Sequence, residues 1–303
     1  MYRNHLWAWG AFGKTDVTLL TLANTPDNTQ LENYSFKATG QATQALRGSF
    51  TYFRGEKLKF GRNAGVTRPP ETTWNQGGPT EVFKGEANLV AGNNTFVTGR
   101  YAYVGGGFFL TPQGGLDTKM IFADDDGIGR GSWYDFRTDR PQWTAAVDGN
   151  HFRGVHELKF GFSYRKADVD STTTVPGDGI ATTHDDYPNM IAGVTAWNQS
   201  TGTTGDYTSA YVGDTISLNR LTLNLAVRWD RQASSVRGYT QLGNPVLPDL
   251  LPDLTGTAAD DAVVWNSVTP RVGLTYALTD DRRTIARGSY AAFASQMNAG
   301  QAS

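Results

Sequence analysis

The sequence predicts an all-β fold, an antiparallel transmembrane β-barrel, of which the chain supplies about eleven strands of barrel length. Three observations carry this prediction. Runs of residues alternate apolar and polar side chains, as in Leu221-Thr-Leu-Asn-Leu-Ala-Val-Arg-Trp229. The connections between runs alternate between very short and long, the asymmetry of tight periplasmic turns and large extracellular loops. Aromatic side chains such as Trp143, Tyr164, Trp229, Trp265 and Tyr276 gather near the ends of runs, where amphipathic rings favour a membrane–water interface.

The elements follow in order. The first strand is expected over His5–Phe12, then Glu32–Gly40 turning near Thr43-Gln44 into Arg47–Phe60. Glu81–Val90 turns at Gly92-Asn93-Asn94 into Thr95–Val104. Gln142–Phe152 turns at Arg153-Gly154-Val155 into His156–Tyr164, whose one face is His156, Leu158, Phe160, Phe162 and Tyr164. Glu157, Lys159, Gly161, Ser163 and Arg165 take the other face. Tyr207–Leu218 and Leu221–Arg231 join at Asn219-Arg220, and Val268–Leu278 returns through Thr279-Asp280-Asp281-Arg282 into Thr284–Phe293. The long connections are 14–31, 62–80, 111–141, 170–205 and 234–264, rich in Gly, Pro and Asp. Connections of this length usually carry function.

Composition narrows the classes. Only 39% of the 303 residues are hydrophobic, and no run approaches the roughly 20 apolar residues of a spanning helix. A barrel strand, polar at every second position, needs no such run. The net charge of -2 and the lack of a basic stripe argue against nucleic acid as a partner. With no cysteine there is no disulfide frame, thiolate metal site or cysteine nucleophile. The start, Met1-Tyr-Arg-Asn-His-Leu-Trp-Ala-Trp9, is not a signal peptide. The end, Met297–Ser303, follows closely on a strand-like run. The whole chain, 1–303, is therefore expected to be an internal stretch of a longer barrel protein.

Alternation alone also fits a soluble sandwich or propeller whose apolar face points inward. The strand-end aromatics favour lipid outside, as does the mixture of small and charged residues on the polar faces, which suits a wet or plugged lumen.

The paired strands resemble the TonB-dependent receptors of the Gram-negative outer membrane, in particular their Oar-like branch. The resemblance rests on Leu6-Trp-Ala-Trp-Gly10, Gly55-Glu-Lys-Leu-Lys-Phe-Gly-Arg62 and Thr67-Arg-Pro-Pro-Glu-Thr-Thr-Trp74. It also rests on Gly99-Arg-Tyr-Ala-Tyr-Val104, Leu110-Thr-Pro-Gln-Gly-Gly115 and His156–Arg165. Thr269-Pro-Arg-Val-Gly-Leu-Thr-Tyr276 and Arg287-Gly-Ser-Tyr290 complete the set. The order of these motifs covers nearly the whole chain. The resemblance implies a roughly 22-stranded barrel around a plug. It further implies a TonB-contacting segment and often a carboxypeptidase-regulatory-like domain upstream, neither visible in this stretch, nor are the plug and the C-terminal strands.

The expected function is outer-membrane uptake of an unidentified solute, with membrane lipid and the TonB complex as partners and no cofactor. The stretch alone should not transport, since a partial barrel leaves two open edges in lipid. A surface adhesion or secretion-related barrel is the rival, and a secreted glycan-binding β-domain a third reading. No catalytic set is expected, because no Ser–His–Asp arrangement and no phosphate-cradling glycine motif can be argued. Trp74, Trp133 and Trp197 in the outer connections are candidates to stack on a sugar or hydrophobic ligand, or else to cover the barrel mouth. Arg100, Lys159, Arg165, Arg228 and Arg271 are candidates to line the lumen, or to form salt bridges there or with a plug. Asp124-Asp-Asp-Gly127 departs from a calcium-loop spacing and reads as a solvated turn, and His184-Asp-Asp186 as a polar loop. His151 and His156 flank one turn and are read as a turn or interface pair, not a metal site.

Overall fold

The structure, a computed structural model, describes residues 5–22, 24–177, 180–184, 191–195 and 198–302, with the side chains of 180–184, 191–195 and 302 outside the description. Trp197, Asp185 and Asp186 lie outside the described residues, as does the side chain of His184.

The strands in chain order are β1 (Leu6–Val17), β2 (Asn28–Gln41), β3 (Leu46–Arg62), β4 (Trp74–Gly77), β5 (Pro79–Ala91) and β6 (Thr95–Pro112). There follow β7 (Phe122–Ala123), β8 (Gly129–Arg130), β9 (Asp135–Asp139), β10 (Gln142–Arg153), β11 (His156–Thr174), β12 (Ile180–His184) and β13 (Ile191–Thr195). The last are β14 (Gln199–Leu218), β15 (Leu221–Val236), β16 (Tyr239–Gln241), β17 (Leu254–Gly256), β18 (Ala259–Ala277) and β19 (Ile285–Ala291). Thirteen of them form one antiparallel sheet, while β7–β8, β12–β13 and β16–β17 are separate hairpins within the long connections. Among the described residues no helix is long and apolar enough to cross a membrane, a statement that does not bear on spanning by strands.

The thirteen strands are eleven staves. β9 and β10 are one stave interrupted at Pro141, which has no N–H for the ladder; Gln142 pairs with Val104 and Asp139 with Gly107 in the same unbroken register. β4 and β5 are likewise one stave broken at Gly78, with Gly77 opposite Phe109 and Thr80 opposite Gly106. The expectation of about eleven strands is met, and so is the alternation of turns and loops. Gly154 and Asn219, both at positive φ, close two of the short turns.

The staves run further toward the long-loop side than the hydrophobic pattern suggested. β11 continues to Thr174, β14 starts at Gln199 rather than Tyr207, and β18 at Ala259 rather than Val268. Those of β11 and β14, such as Gln199-Ser-Thr-Gly-Thr-Thr204, are largely polar on both faces, while that of β18 carries Val263, Val264 and Trp265. Threonine-rich backbone keeps pairing where no apolar face marks it.

Register places side chains in rows. One row joins Leu46, Leu89, Val97, Gly149, Phe160, Val212, Val227 and Pro270 across eight staves. On the same face, nearer the long loops, Phe36, Tyr52, Phe83, Tyr103 and Trp143 stand opposite one another. Their rings form a girdle, with centroids 5.0 Å apart for Tyr52–Phe83, 6.2 Å for Phe83–Tyr103 and 5.6 Å for Tyr103–Trp143. Just beyond the girdle, the outward positions turn charged, with Lys14 bridging Glu32 at 3.1 Å and Arg54 bridging Glu81 at 3.0 Å. Phe160, Val212 and Val227 are exposed, and no described element covers this apolar face. A soluble sandwich would bury it; a barrel in lipid does not need to. Among the described residues, the buried apolar side chains are few and include Trp74, Leu110 and Leu251, so the sheet has no conventional core.

Candidate functional site

The other face carries the polar side chains, and on it a hydrogen-bonded network crosses the sheet. Glu86 on β5 accepts from Asn88 at 3.1 Å and faces the Arg100 guanidinium of β6 at 3.5 Å. Arg100 donates to Asp148 on β10 at 2.6 Å. Asp148 in turn accepts from the Tyr211 hydroxyl of β14 at 3.0 Å. Beside it, Arg228 on β15 forks onto both oxygens of Asp230 at 2.9 and 3.0 Å and donates to the Tyr207 hydroxyl at 2.7 Å. The Tyr207 hydroxyl itself donates to Asp230, which is only 2% exposed. Alternation alone put these residues on one face; pairing across strands turns them into a network in which each charge has a partner.

All five basic candidates lie on this face by register, which in a membrane barrel is the lumen side. Arg100 and Arg228 belong to the network. Arg165 stacks over the Tyr207 ring at 5.7 Å. Lys159 pairs with Glu157 at 3.2 Å, and Arg271 lies over Phe293 at 5.0 Å. Segment 292–302 crosses the same face, where Gln232 donates to the Ser295 carbonyl and accepts from the Met297 N–H, each at 2.7 Å. The acidic and tyrosine partners, Glu86, Asp148, Tyr207, Tyr211 and Asp230, were not singled out in the sequence. Their signal is there, a polar residue at every second position, but which of them meet depends on register.

Nearer the long loops, the same face becomes aromatic. Phe108 on β6 meets Phe136 on β9 at 5.6 Å, and Phe136 meets Tyr134 at 6.5 Å. Tyr134 meets Trp74 at 5.4 Å, and Trp74 stacks on Trp133 at 4.8 Å and 26°. Arginines close the column at both ends, Arg140 over Phe108 at 5.5 Å and Arg68 over Trp133 at 4.9 Å. Trp74 is 5% exposed and its indole donates to the Tyr134 carbonyl at 2.8 Å, so it offers its ring to neighbouring rings, not to solvent. Trp133 is half-buried, and its buried indole N–H has no partner among the described residues. Phe108, Tyr134 and Phe136 join the two tryptophans only because β4 and β9 extend the sheet into what looked like connection.

Three long connections interlock above this column. The Gly129 N–H donates to the Thr67 carbonyl at 2.9 Å and the Gln113 N–H to the Thr73 carbonyl at 3.0 Å, tying 63–73 to 113–134. The Gly177 N–H donates to the Leu116 carbonyl at 3.2 Å, tying in the connection after β11. Arg68 donates to the Thr72 carbonyl at 2.6 Å, and burial pushes its guanidinium below the ordinary range. These contacts hold the column from above.

The acidic turn is self-contained. Asp124 accepts from the backbone N–H of Ile128 at 2.9 Å and of Asp126 at 3.1 Å, and from Arg130 at 2.8 Å. The Ile128 bond first, then Arg130, holds its carboxyl below the usual range. Among the described residues no group of three or more His, Asp or Glu side chains is arranged to hold a metal ion. His151 and His156 do not pair: one bonds Thr95 at 2.8 Å, the other Asp214 at 2.6 Å.

Residues 8–303 match the outer membrane beta barrel domain family. No curated protein matches by sequence. Among solved structures, the ferric yersiniabactin uptake receptor FyuA from Yersinia pestis is similar over 91% of this chain and 40% of its own, at 12% identity and TM-score 0.59. The siderophore receptor PiuA from Acinetobacter baumannii is similar over 92% and 44%, at 15% identity and TM-score 0.53. The copper transporter OprC is similar over 91% and 38%, at 11% identity and TM-score 0.55. The chain thus spans less than half the length of each of these three, and at such identities the likeness is one of fold. An eleven-stave antiparallel sheet, girdled by aromatics on a bare apolar face and polar within, agrees with the family match: the chain belongs to the outer membrane beta barrel domain family and resides in the outer membrane of a Gram-negative bacterium.

Proposed function

We propose that the whole protein is an outer-membrane receptor of the TonB-dependent, Oar-like type that takes up a solute, with this stretch as part of its barrel wall and no enzymatic role. The observation that supports it is the continuity of one face. An aromatic column with arginines at both ends stands at the loop side, and a polar network extends below it on the same inward side. A solute entering from outside would meet rings and cations first and a hydrogen-bonding wall next. Trp133, half-buried between the Trp74 ring and the Arg68 guanidinium, stands at the loop-side end of this column. The similar structures, those of an uptake receptor, a siderophore receptor and a copper transporter, lend support. The plug, the TonB contact and the solute belong to this proposal as well.

The test uses the full-length protein in its own cell. Depletion of solutes from the medium is compared between a deletion strain and strains complemented with wild type or Trp133→Ala. Loss of depletion of a particular solute on deletion, on inactivation of TonB and, in part, with Trp133→Ala at equal barrel abundance is the expected result. Unchanged uptake together with lost surface attachment would favour the adhesion reading and overturn this one.

A further inference from the structure

The outward face holds a second feature that transport does not use. Gly105 and Gly107 occupy successive outward positions on β6 and add no side chains of their own; the tip of the Tyr103 ring leans over Gly105, and a cleft of about 450 Å³ opens beyond it. Tyr103 bounds it on the girdle side and Phe109 on the loop side. Glu81, opposite Gly105, and Asp139, opposite Gly107, form its flanks. Arg137, opposite Phe109, lies over that ring at 5.7 Å while gripping Asp135 at 3.0 Å. The floor is enforced on the Gly107 side: a Cβ there would come within 2.2 Å of the Thr138 carbonyl oxygen, a backbone atom that cannot step aside.

The position restricts what can fill the cleft. It is on the apolar, lipid-facing side of the sheet, one outward position beyond the aromatic girdle, at the level where acyl chains give way to headgroups. β6 has four staves on one side and six on the other, so closing the barrel cannot cover it. The chemistry restricts it further. Two carboxylates accept hydrogen bonds from hydroxyl groups, ring faces pack against the C–H face of a sugar, and a guanidinium beside them suits a phosphate. Asp139 makes no ion pair among the described residues and is exposed. The geometry points to a binding cleft for the phosphorylated sugar headgroup of an outer-leaflet glycolipid, with Glu81 and Asp139 on the sugar and Arg137 on its phosphate.

The test is lipopolysaccharide of short core titrated onto the full-length barrel in detergent and followed by native mass spectrometry. The variants are Gly105→Leu, which fills the floor where a Cβ meets only the tip of the Tyr103 ring, and Asp139→Asn. Gly85→Leu, at an outward glycine with open space around it, is the control. One tightly held lipid is expected on the wild type and the control, weakened about tenfold in each of the other two, the scale of one lost polar contact or blocked surface. Heat-modifiability on gels checks that each barrel is folded. Equal retention by all four proteins would overturn the assignment. Equally tight binding of the free core oligosaccharide would overturn the lipid as its source.

Discussion

The two faces of the same staves solve the same problem in opposite ways. On the outward face of β10 and β11, Gly149 leaves a gap that the Phe160 ring fills; on the inward face Gly161 leaves a gap that the Tyr211 ring fills. Both are aromatic side chains laid over a glycine on the next stave. Phe160 has no polar atom and rests there by contact alone, with lipid on its far side. Tyr211 is tied by its hydroxyl to Asp148, and through it to Arg100 and Glu86. The outward face is a set of replaceable apolar parts, and the inward face a network whose members depend on each other. Substitutions should therefore be judged by what they leave unpaired inside and by what they expose to lipid outside.

The strongest break in this comparison is Asp230→Ala. Asp230 is nearly fully buried and holds both Arg228 and the Tyr207 hydroxyl, so its removal takes the charged partner from the guanidinium and the acceptor from the phenol. A loss of about 3–5 kcal/mol is expected, as for other buried pairs broken from one side. Urea unfolding of the full-length barrel in vesicles measures it, and a loss under about 1 kcal/mol would show that the inward network is not interdependent.

The next is a charge placed on each face of β15. Val227 stands between Val212 and Pro270 in the apolar row, and Val227→Arg should cost roughly 2–4 kcal/mol in the same assay. Asn224→Arg, on the polar face, should cost less. Leu225, two positions along on the same face, is a poorer probe. It pairs directly with Asp214, and an arginine there would find a carboxylate on the neighbouring stave. The reverse order of Val227→Arg and Asn224→Arg would mean that the faces are exchanged.

What the sequence made legible was whatever depends on near neighbours along the chain. Period-two alternation located the staves, and the tight turns at Gly154 and Asn219 located the hairpins. Pairing across strands was not legible. Nothing local says that Arg100 meets Asp148, forty-eight residues away in sequence, or that Tyr134 and Phe136 stand beside Trp74. Pro141 and Gly78 looked like ends of strands because each interrupts the ladder, yet the register runs through both. The threonine-rich extensions of β11 and β14 were invisible for a different reason: with both faces polar, no periodicity marks a strand. The glycine cleft on β6 needs all of this at once, since it exists only where two neighbouring staves hold their register past Gly105 and Gly107.

The finest test returns to the two covered glycines. A Cβ on Gly161 would lie 2.3 Å from the Tyr211 ring and 2.7 Å from an Asp148 oxygen, and one on Gly149 would lie 2.3 Å from the tip of the Phe160 ring. The local crowding is the same on both faces; the freedom to relieve it is not. Phe160 can swing toward lipid with no polar bond to break, whereas Tyr211 can move only by giving up its bond to Asp148 and disturbing the Arg100 pair behind it. Gly161→Ala should therefore cost about 1–3 kcal/mol, the usual range for overpacking that cannot relax, and Gly149→Ala under about 1 kcal/mol. Adding Tyr211→Phe to Gly161→Ala should remove much of that difference, because the tether is then already cut. If the two alanines cost the same and Tyr211→Phe changes nothing, then close packing alone governs both faces, and the inward network adds no rigidity of its own.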